Sequence, residues 1–167
     1  MHKKEYHIRC GPGDVAKIVL LPGDPARAKL ISEFFDEAHE VARNREFWTF
    51  TGSVDGVPVS VTSTGIGCPS AAIAVEELAR CSAEVFIRVG TSGSLQEWVE
   101  IGDLVIATAA VRDEGTSKQY IPIEYPAVAS LNVVLALKKA AEKLGYKHHL
   151  GIIHSKDAFY MEEPEMV

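Results

Sequence analysis

"KIVLLPGDPARAKLI", residues 17–31, decides the fold. Its first part, Lys17 to Pro22, is a continuous apolar run after the lysine, the pattern of a short strand buried on both faces. Gly23-Asp24 turns the chain, and Pro25 suits a first helical position, where the missing N–H costs nothing. From Ala26 to Phe35, Leu30, Ile31, Phe34 and Phe35 recur at helical spacing and predict one apolar face. Outward from this strand–turn–helix the order repeats. Phe47–Val54 and Val57–Thr62 read as a hairpin, because Asp55-Gly56 sits between alternating segments. Pro69–Arg80 reads as a helix, Glu84–Val89 and Leu104–Val111 as strands, Ala129–Leu144 as a helix closed by Gly145, and Leu150–His154 as a last strand. Strands alternating with helices predict an α/β fold, a mixed central sheet flanked by helices. Ligands of such folds gather at the carboxyl ends of strands.

The whole-chain properties narrow the function. The 167 residues suit one domain with a real core, and no repeat or low-complexity linker divides them. A net charge of -6 argues against a general nucleic-acid or membrane surface. It leaves room for a small anion held by a local arginine cluster. Cys10, Cys68 and Cys81 are odd in number and lack CxxC spacing, which predicts a reducing cytoplasm and no zinc site. The start, "MHKKEYHIRCG", has no apolar h-region, so no signal peptide is expected. His148 and His149 would point to opposite faces of a strand and make a poor metal pair.

Three glycine-bearing turns follow predicted strands: Gly23-Asp24-Pro25, Gly65-Ile66-Gly67 and Gly90-Thr91-Ser92-Gly93. Glycine lets backbone N–H groups converge on an anion, but it is also the ordinary punctuation after a strand. Arginines bear on that choice. Arg27 lies four residues after Gly23, and Arg88 lies inside an otherwise apolar strand, two residues before Gly90. A charge there is costly unless paired. Two readings stand: an internal ion pair with Glu76 or Glu77, or a guanidinium at the strand end gripping a phosphate with its planar fork. "GIGCPS", residues 65–70, approaches a dinucleotide fingerprint, but Ser70 fills the sixth position and Pro69 interrupts the loop. That reading ranks below the phosphate one. Taken alone, His7 reads as an exposed residue, Phe159 as core, Arg45-Glu46 as a surface pair and Asp24 as a cap.

Seven stretches together resemble the nucleoside phosphorylases of the uridine phosphorylase and hexameric purine nucleoside phosphorylase family. They are "LLPGDPARAKLI", "NREFWTFTG", "TSTGIGCPSAAIAVEEL", "IRVGTSGSLQ", "IGDLVIATAAVRDEG", "PIEYPAVAS" and "SKDAFYMEE", in family order over almost the whole chain. "VRDEGTS" followed by "PIEYPAVAS" looks more like the uridine branch. The resemblance implies a cytoplasmic pentosyltransferase of nucleoside salvage, a homo-oligomer (a hexamer built of dimers) with no organic cofactor. It splits a nucleoside with inorganic phosphate into free base and ribose 1-phosphate. It further implies a phosphate site of Gly23, Arg27, Arg45, Arg88 and Thr91, with Arg88 and Thr91 catalytic and Arg45 reaching a neighbouring subunit. His7 would cross to the ribose 5′-hydroxyl, Thr91 would touch the ribose, and Phe159 would pack on sugar and base. Glu46, the carbonyl of Ile66, and Ser70 would hold a potassium ion between subunits.

The chain departs from the family pattern at Val167, before the family's base-recognition and ribose-hydroxyl residues. The expectation is therefore the N-terminal portion of one phosphorylase domain, its C-terminal part missing. "EEPEMV" comes too early and in the wrong order to be the ribose motif. Purine or methylthioadenosine phosphorolysis, hydrolysis by water and non-catalytic nucleoside or phosphate binding remain as alternatives. The three arginines argue against hydrolysis, since a water nucleophile needs no such clamp.

Overall fold

The computed structural model describes residues 4–161, which leaves "EEPEMV" outside the described residues. The chain divides into two compact units, Met1–Thr91 and Ser92–Val167. Strand β1 (Ile18–Leu21) leads through the Gly23 turn into helix α1 (Pro25–Ser32). Asp24 is the N-cap of α1; its carboxylate accepts from the Ala26 N–H at 2.9 Å, so the capping reading holds. Then come β2 (Glu37–Asn44), β3 (Phe47–Val54), β4 (Val57–Thr62), α2 (Cys68–Arg80) and β5 (Val85–Arg88). The sheet order is β2-β3-β4-β1-β5. The β2–β3 and β3–β4 pairs are antiparallel, while β1 runs parallel to both β4 and β5. The first unit thus carries the mixed sheet that the strand–helix alternation predicts.

Alternation along each strand divides the core between two faces. Val19, Leu21 and Phe47 join Ala74, Leu78 and Cys81 from α2 and its end, together with Ile8 and Cys10. On the other face, Phe50 and Val61 pack on Ala28 of α1, with Leu20, Ile31, Phe35 and Trp48 at the margin. On the Phe47 face of β3 runs a hydroxyl ladder: Thr49 bonds Thr62 at 3.0 Å, and Thr51 bonds Ser60 at 2.7 Å. These bonds satisfy polar groups that burial would otherwise leave unpaired.

Two expectations change. The face predicted for α1 is covered only in part: Ile31 and Phe35 pack against the core around Ala28, but Leu30 is exposed and Phe34, beyond the helix end, is 78% exposed. Helix α1 ends at Ser32 rather than Phe35, and the segment that follows runs into β2. Strand β2, a polar edge strand with an irregularity between Glu40 and Ala42, carries no apolar alternation to announce it.

The second unit contains β6 (Leu104–Asp113) and β7 (His148–Lys156), paired in parallel, with α3 (Leu131–Leu144) between them in sequence. Gly145 closes α3 in the left-handed conformation at φ 73°. Ile106, Val134 and Ala141 form its small core. His148 and His149 have separate partners, the Tyr146 carbonyl at 3.1 Å and the Asp103 carboxylate at 2.8 Å. Among the described residues no helix is long and apolar enough to cross a membrane.

Candidate functional site

Because β4, β1 and β5 are adjacent and parallel, their carboxyl ends lie on one edge of the sheet. The three glycine turns therefore come together there. Backbone bonds tie them: Thr64 N–H donates to Pro22 O and Gly65 N–H to Gly23 O, both at 2.9 Å, and Val89 N–H to Leu21 O at 3.1 Å. The central turn, after β1, is flanked by the other two. This is the carboxyl end of the parallel strands, where α/β folds collect ligands.

Arg88 ends β5 and folds back over that edge. Its Nη1 donates to Leu21 O at 3.1 Å and to Val89 O at 3.0 Å. Among the described residues, Nη2 and Nε have no acceptor and no carboxylate pairs with the guanidinium. The ion-pair reading of Arg88 is thus answered: Glu76 bonds Arg80 at 3.4 Å and Glu77 bonds His7 at 2.6 Å. Burial, and then the charge of Arg27, lower the pKa of Arg88. Arg27 and Arg88 repel each other, and among the described residues neither forms an ion pair with a carboxylate, in a chain of net charge -6. Glycines give the Arg88 head its room. A Cβ on Gly90 would stand 2.9 Å from Nη1, and one on Gly23 would stand 3.2 Å from Nη2. Thr91 follows Gly90 and is exposed.

A second group forms where β2 turns into β3. Arg45 occupies that turn with φ 53°, exposed, and Glu46 follows it. The β3–β4 pairing brings this turn to the same edge, since Trp48 N–H donates to Ser63 Oγ at 2.8 Å and Ser63 Oγ donates to Glu46 O at 2.6 Å. Ser70 Oγ lies 2.8 Å from Glu46 Oε1. Glu46's own N–H and the Ser70 hydroxyl hold its carboxyl below the usual range, with smaller contributions from Arg45 and His7. Gly65 is required beside it: φ is +70°, and a Cβ would stand 2.6 Å from Glu46 Cγ. Ile66, at the tip of this turn, is 99% exposed. The donors here are a carboxylate, a hydroxyl and carbonyls, the all-oxygen set a hard cation prefers. Among the described residues no three His, Cys, Asp or Glu side chains are placed to share a metal ion.

His7 is held rather than free. Its Nδ1 is 2.6 Å from Glu77 Oε1, and Asn44 Nδ2 donates to its carbonyl at 2.7 Å. Sequence reasoning missed this part of Glu77, which it weighed only as a partner of Arg88; the buried position on the apolar side of α2 was the available signal. Phe159 lies in the second unit, 79% exposed, with Tyr160 edge-on at 5.1 Å. It is not core, contrary to the reading from its residue type alone.

Comparison with known proteins gives a consistent set of likenesses. The profile of the Phosphorylase superfamily matches residues 17–167. A uridine phosphorylase of Thermococcus kodakarensis is 62% identical over 157 residues, 94% of this chain and 57% of its own length. A guanosine phosphorylase of Halorubrum lacusprofundi is 48% identical, covering 98% of this chain and 68% of its own. The crystal structure of uridine phosphorylase from Vibrio fischeri superposes with a TM-score of 0.93 at 40% identity, over 98% of this chain and 68% of that one. This chain therefore spans little more than half the length of the Thermococcus relative.

Proposed function

The chain belongs to the phosphorylase superfamily, and on that premise we propose that it serves the phosphorolysis of a nucleoside, with uridine as the first substrate to test. The products are free base and ribose 1-phosphate, a pentosyl transfer of nucleoside salvage in the cytoplasm. The observation that carries the reading is the Arg27–Arg88 pair, two mutually repelling guanidiniums at convergent glycine turns, neither ion-paired among the described residues. A phosphate dianion relieves their repulsion and takes the free Nη2 and Nε donors of Arg88.

The chemistry needs little else from this edge. As the bond from C1′ to the base nitrogen breaks, the ribose becomes oxocarbenium-like, and the base leaves with the bonding electrons. A phosphate oxygen held beneath C1′ stabilises that charge and then forms the new bond. No protein nucleophile takes part. Arg88, Arg27, Thr91 and the Gly23 turn position the phosphate, which is catalysis by orientation and preorganised electrostatics. Arg45, exposed at its turn, reaches the phosphate of a neighbouring subunit, and His7 a neighbour's ribose 5′-hydroxyl, so the working unit is at least a dimer and the expected assembly a dimer-based hexamer. Thr91 also meets the ribose, and Phe159 the sugar and base. Glu46, Ser70 and the Ile66 carbonyl would hold a potassium ion, which supplies structural charge at the subunit contact. No organic cofactor is called for.

Base choice has a second reading, purine phosphorolysis, favoured by the guanosine phosphorylase likeness. The test is turnover of uridine, guanosine and methylthioadenosine with and without phosphate. Phosphate-dependent ribose 1-phosphate supports the proposal. Free ribose released at the same rate without phosphate would make the protein a nucleosidase.

A further inference from the structure

Glu77 is only 4% exposed, next to Leu78 of the main core, and the phosphate chemistry above does not use it. A buried carboxylate is retained at a cost of several kcal/mol unless its oxygens are satisfied. Here they are, and all by one short segment about seventy residues away in sequence. Oε2 accepts from the backbone N–H of His7 at 3.0 Å and of Ile8 at 2.8 Å, and Oε1 faces His7 Nδ1 at 2.6 Å. We propose that Glu77 is a positioning residue that locks His7 as the Nδ1–H tautomer and so leaves Nε2 as a hydrogen-bond acceptor for the ribose 5′-hydroxyl. The hydroxyl half of this rests on the reading of His7 given above.

The tautomer follows by elimination. Backbone N–H groups can only donate, so the carboxylate must accept from both. Burial works to raise its pKa, but the Ile8 N–H, the His7 ring and the His7 N–H outweigh it, and the net displacement is downward. Glu77 therefore carries no proton to give, and the 2.6 Å contact needs the hydrogen on Nδ1. In the neutral ring only Nε2 then offers a lone pair. The ring has little freedom to turn away. Tyr6 meets it edge-on at 4.9 Å, Phe47 at 6.3 Å, and Asn44 holds its peptide oxygen. A carboxylate with a purely structural task would need the two backbone bonds only. The ring bond is the additional feature, and it fixes which nitrogen faces outward.

Glu77→Gln separates the two roles. The amide oxygen keeps the backbone donors, while its NH₂ faces Nδ1 and donates to it, which moves the ring hydrogen to Nε2. Glu77→Asp stays an acceptor with a shorter reach. The measurement is a long-range proton–nitrogen correlation spectrum of the full chain with ¹⁵N-labelled histidine, at roughly pH 8.5, about two units above the ordinary imidazole value. A His7→Asn variant identifies the His7 signals. Expected are a protonated Nδ1 and a bare Nε2 in the parent, the reverse in Glu77→Gln, and the parent pattern again in Glu77→Asp. A parent spectrum with the hydrogen on Nε2 overturns the proposal whether or not the Gln variant folds.

The second readout is binding of uridine and 5′-deoxyuridine in the absence of phosphate, so that neither is turned over. Glu77→Gln should weaken uridine by about three- to tenfold, as for one lost hydrogen bond. It should leave 5′-deoxyuridine, which has no such hydroxyl, within about twofold. Equal losses for both overturn the hydroxyl half. Failure of the parent to bind either nucleoside refutes the proposed function instead, and the spectrum still decides the role of Glu77.

Discussion

Gly90→Ala tests the site without touching a charged residue. Gly90 is not among the residues with left-handed φ, so alanine can adopt its backbone. The new Cβ would stand 2.9 Å from Arg88 Nη1 and 3.4 Å from Cζ. Ordinary contact would require the guanidinium to retreat by about half an ångström, and a flexible side-chain tip can do so without moving the fold. Stability should hold or rise slightly, because Gly→Ala at a compatible site gains about 0.4–1 kcal/mol through the unfolded chain. Function should fall. The anchoring bonds to Leu21 O and Val89 O already measure 3.1 and 3.0 Å, so that retreat takes them to the edge of useful geometry. The free donors move with the head. Loss of one charge-assisted bond to phosphate is worth about 1.5–3 kcal/mol, or about tenfold to 150-fold in affinity. Calorimetric titration with inorganic phosphate, alongside thermal unfolding, reads both quantities. Unchanged phosphate affinity in a folded variant would refute the role given to Arg88. A large fall in Tm would refute the claim that the clash lands on a mobile tip.

Four further outcomes are expected. Leu78→Ala, at a fully buried position of the main core, should cost about 2–5 kcal/mol by denaturant titration. Asp103 has its carboxyl lowered from 3.8 to about 2, chiefly by His149 and against burial, with the Glu100 N–H and Lys147 adding to it. A depressed folded value stabilises above the unfolded one, so this contribution to the second unit is complete above 3.8 and lost as pH falls toward about 2; Asp103→Asn should flatten acid unfolding followed by circular dichroism in that window. Burial pushes the Cys10 and Cys81 thiols up to about 11, so both should resist iodoacetamide in the native protein and react once it is unfolded, as read by mass spectrometry. Inactive Arg45→Ala and Arg88→Ala subunits, mixed into hybrid oligomers, should recover activity at sites that draw one arginine from each; verified hybrids with none would show that the site is not shared.

The parts of the fold that were legible were those whose local chemistry matches their burial. Asp55-Gly56 between alternating strands named the β3–β4 hairpin, and the apolar run from Ile18 to Leu21 named the central strand. Strand β2 was not legible because an edge strand of charged and small residues leaves no period-two signal. The apolar residues near α1 were legible only in part: Ile31 and Phe35 pack with Ala28 as their spacing suggests, while Leu30 stays exposed and so does Phe34, beyond the helix end at Ser32. At the site, the oddity of Arg88 in an apolar strand could be read directly. Its partner could not, since that depends on how α2 rotates to give Glu76 to Arg80 and Glu77 to His7. The clamp on His7 joins residues about seventy apart, and no spacing in the sequence announces such a bond.

The antiparallel pairing of β3 with β4 has a practical use. It sends the Asp55-Gly56 tip to the end of the sheet opposite the arginines. Both tip residues hold left-handed φ, 50° and 76°, and Val54 to Pro58 are exposed. A Cβ on Gly56 would meet nothing within 4 Å. Short exposed turns of this kind accept inserted sequence most readily. A fluorophore or an affinity handle placed between Asp55 and Gly56 would therefore report on the protein, or tether it to a surface, from the end of the sheet opposite Arg27 and Arg88.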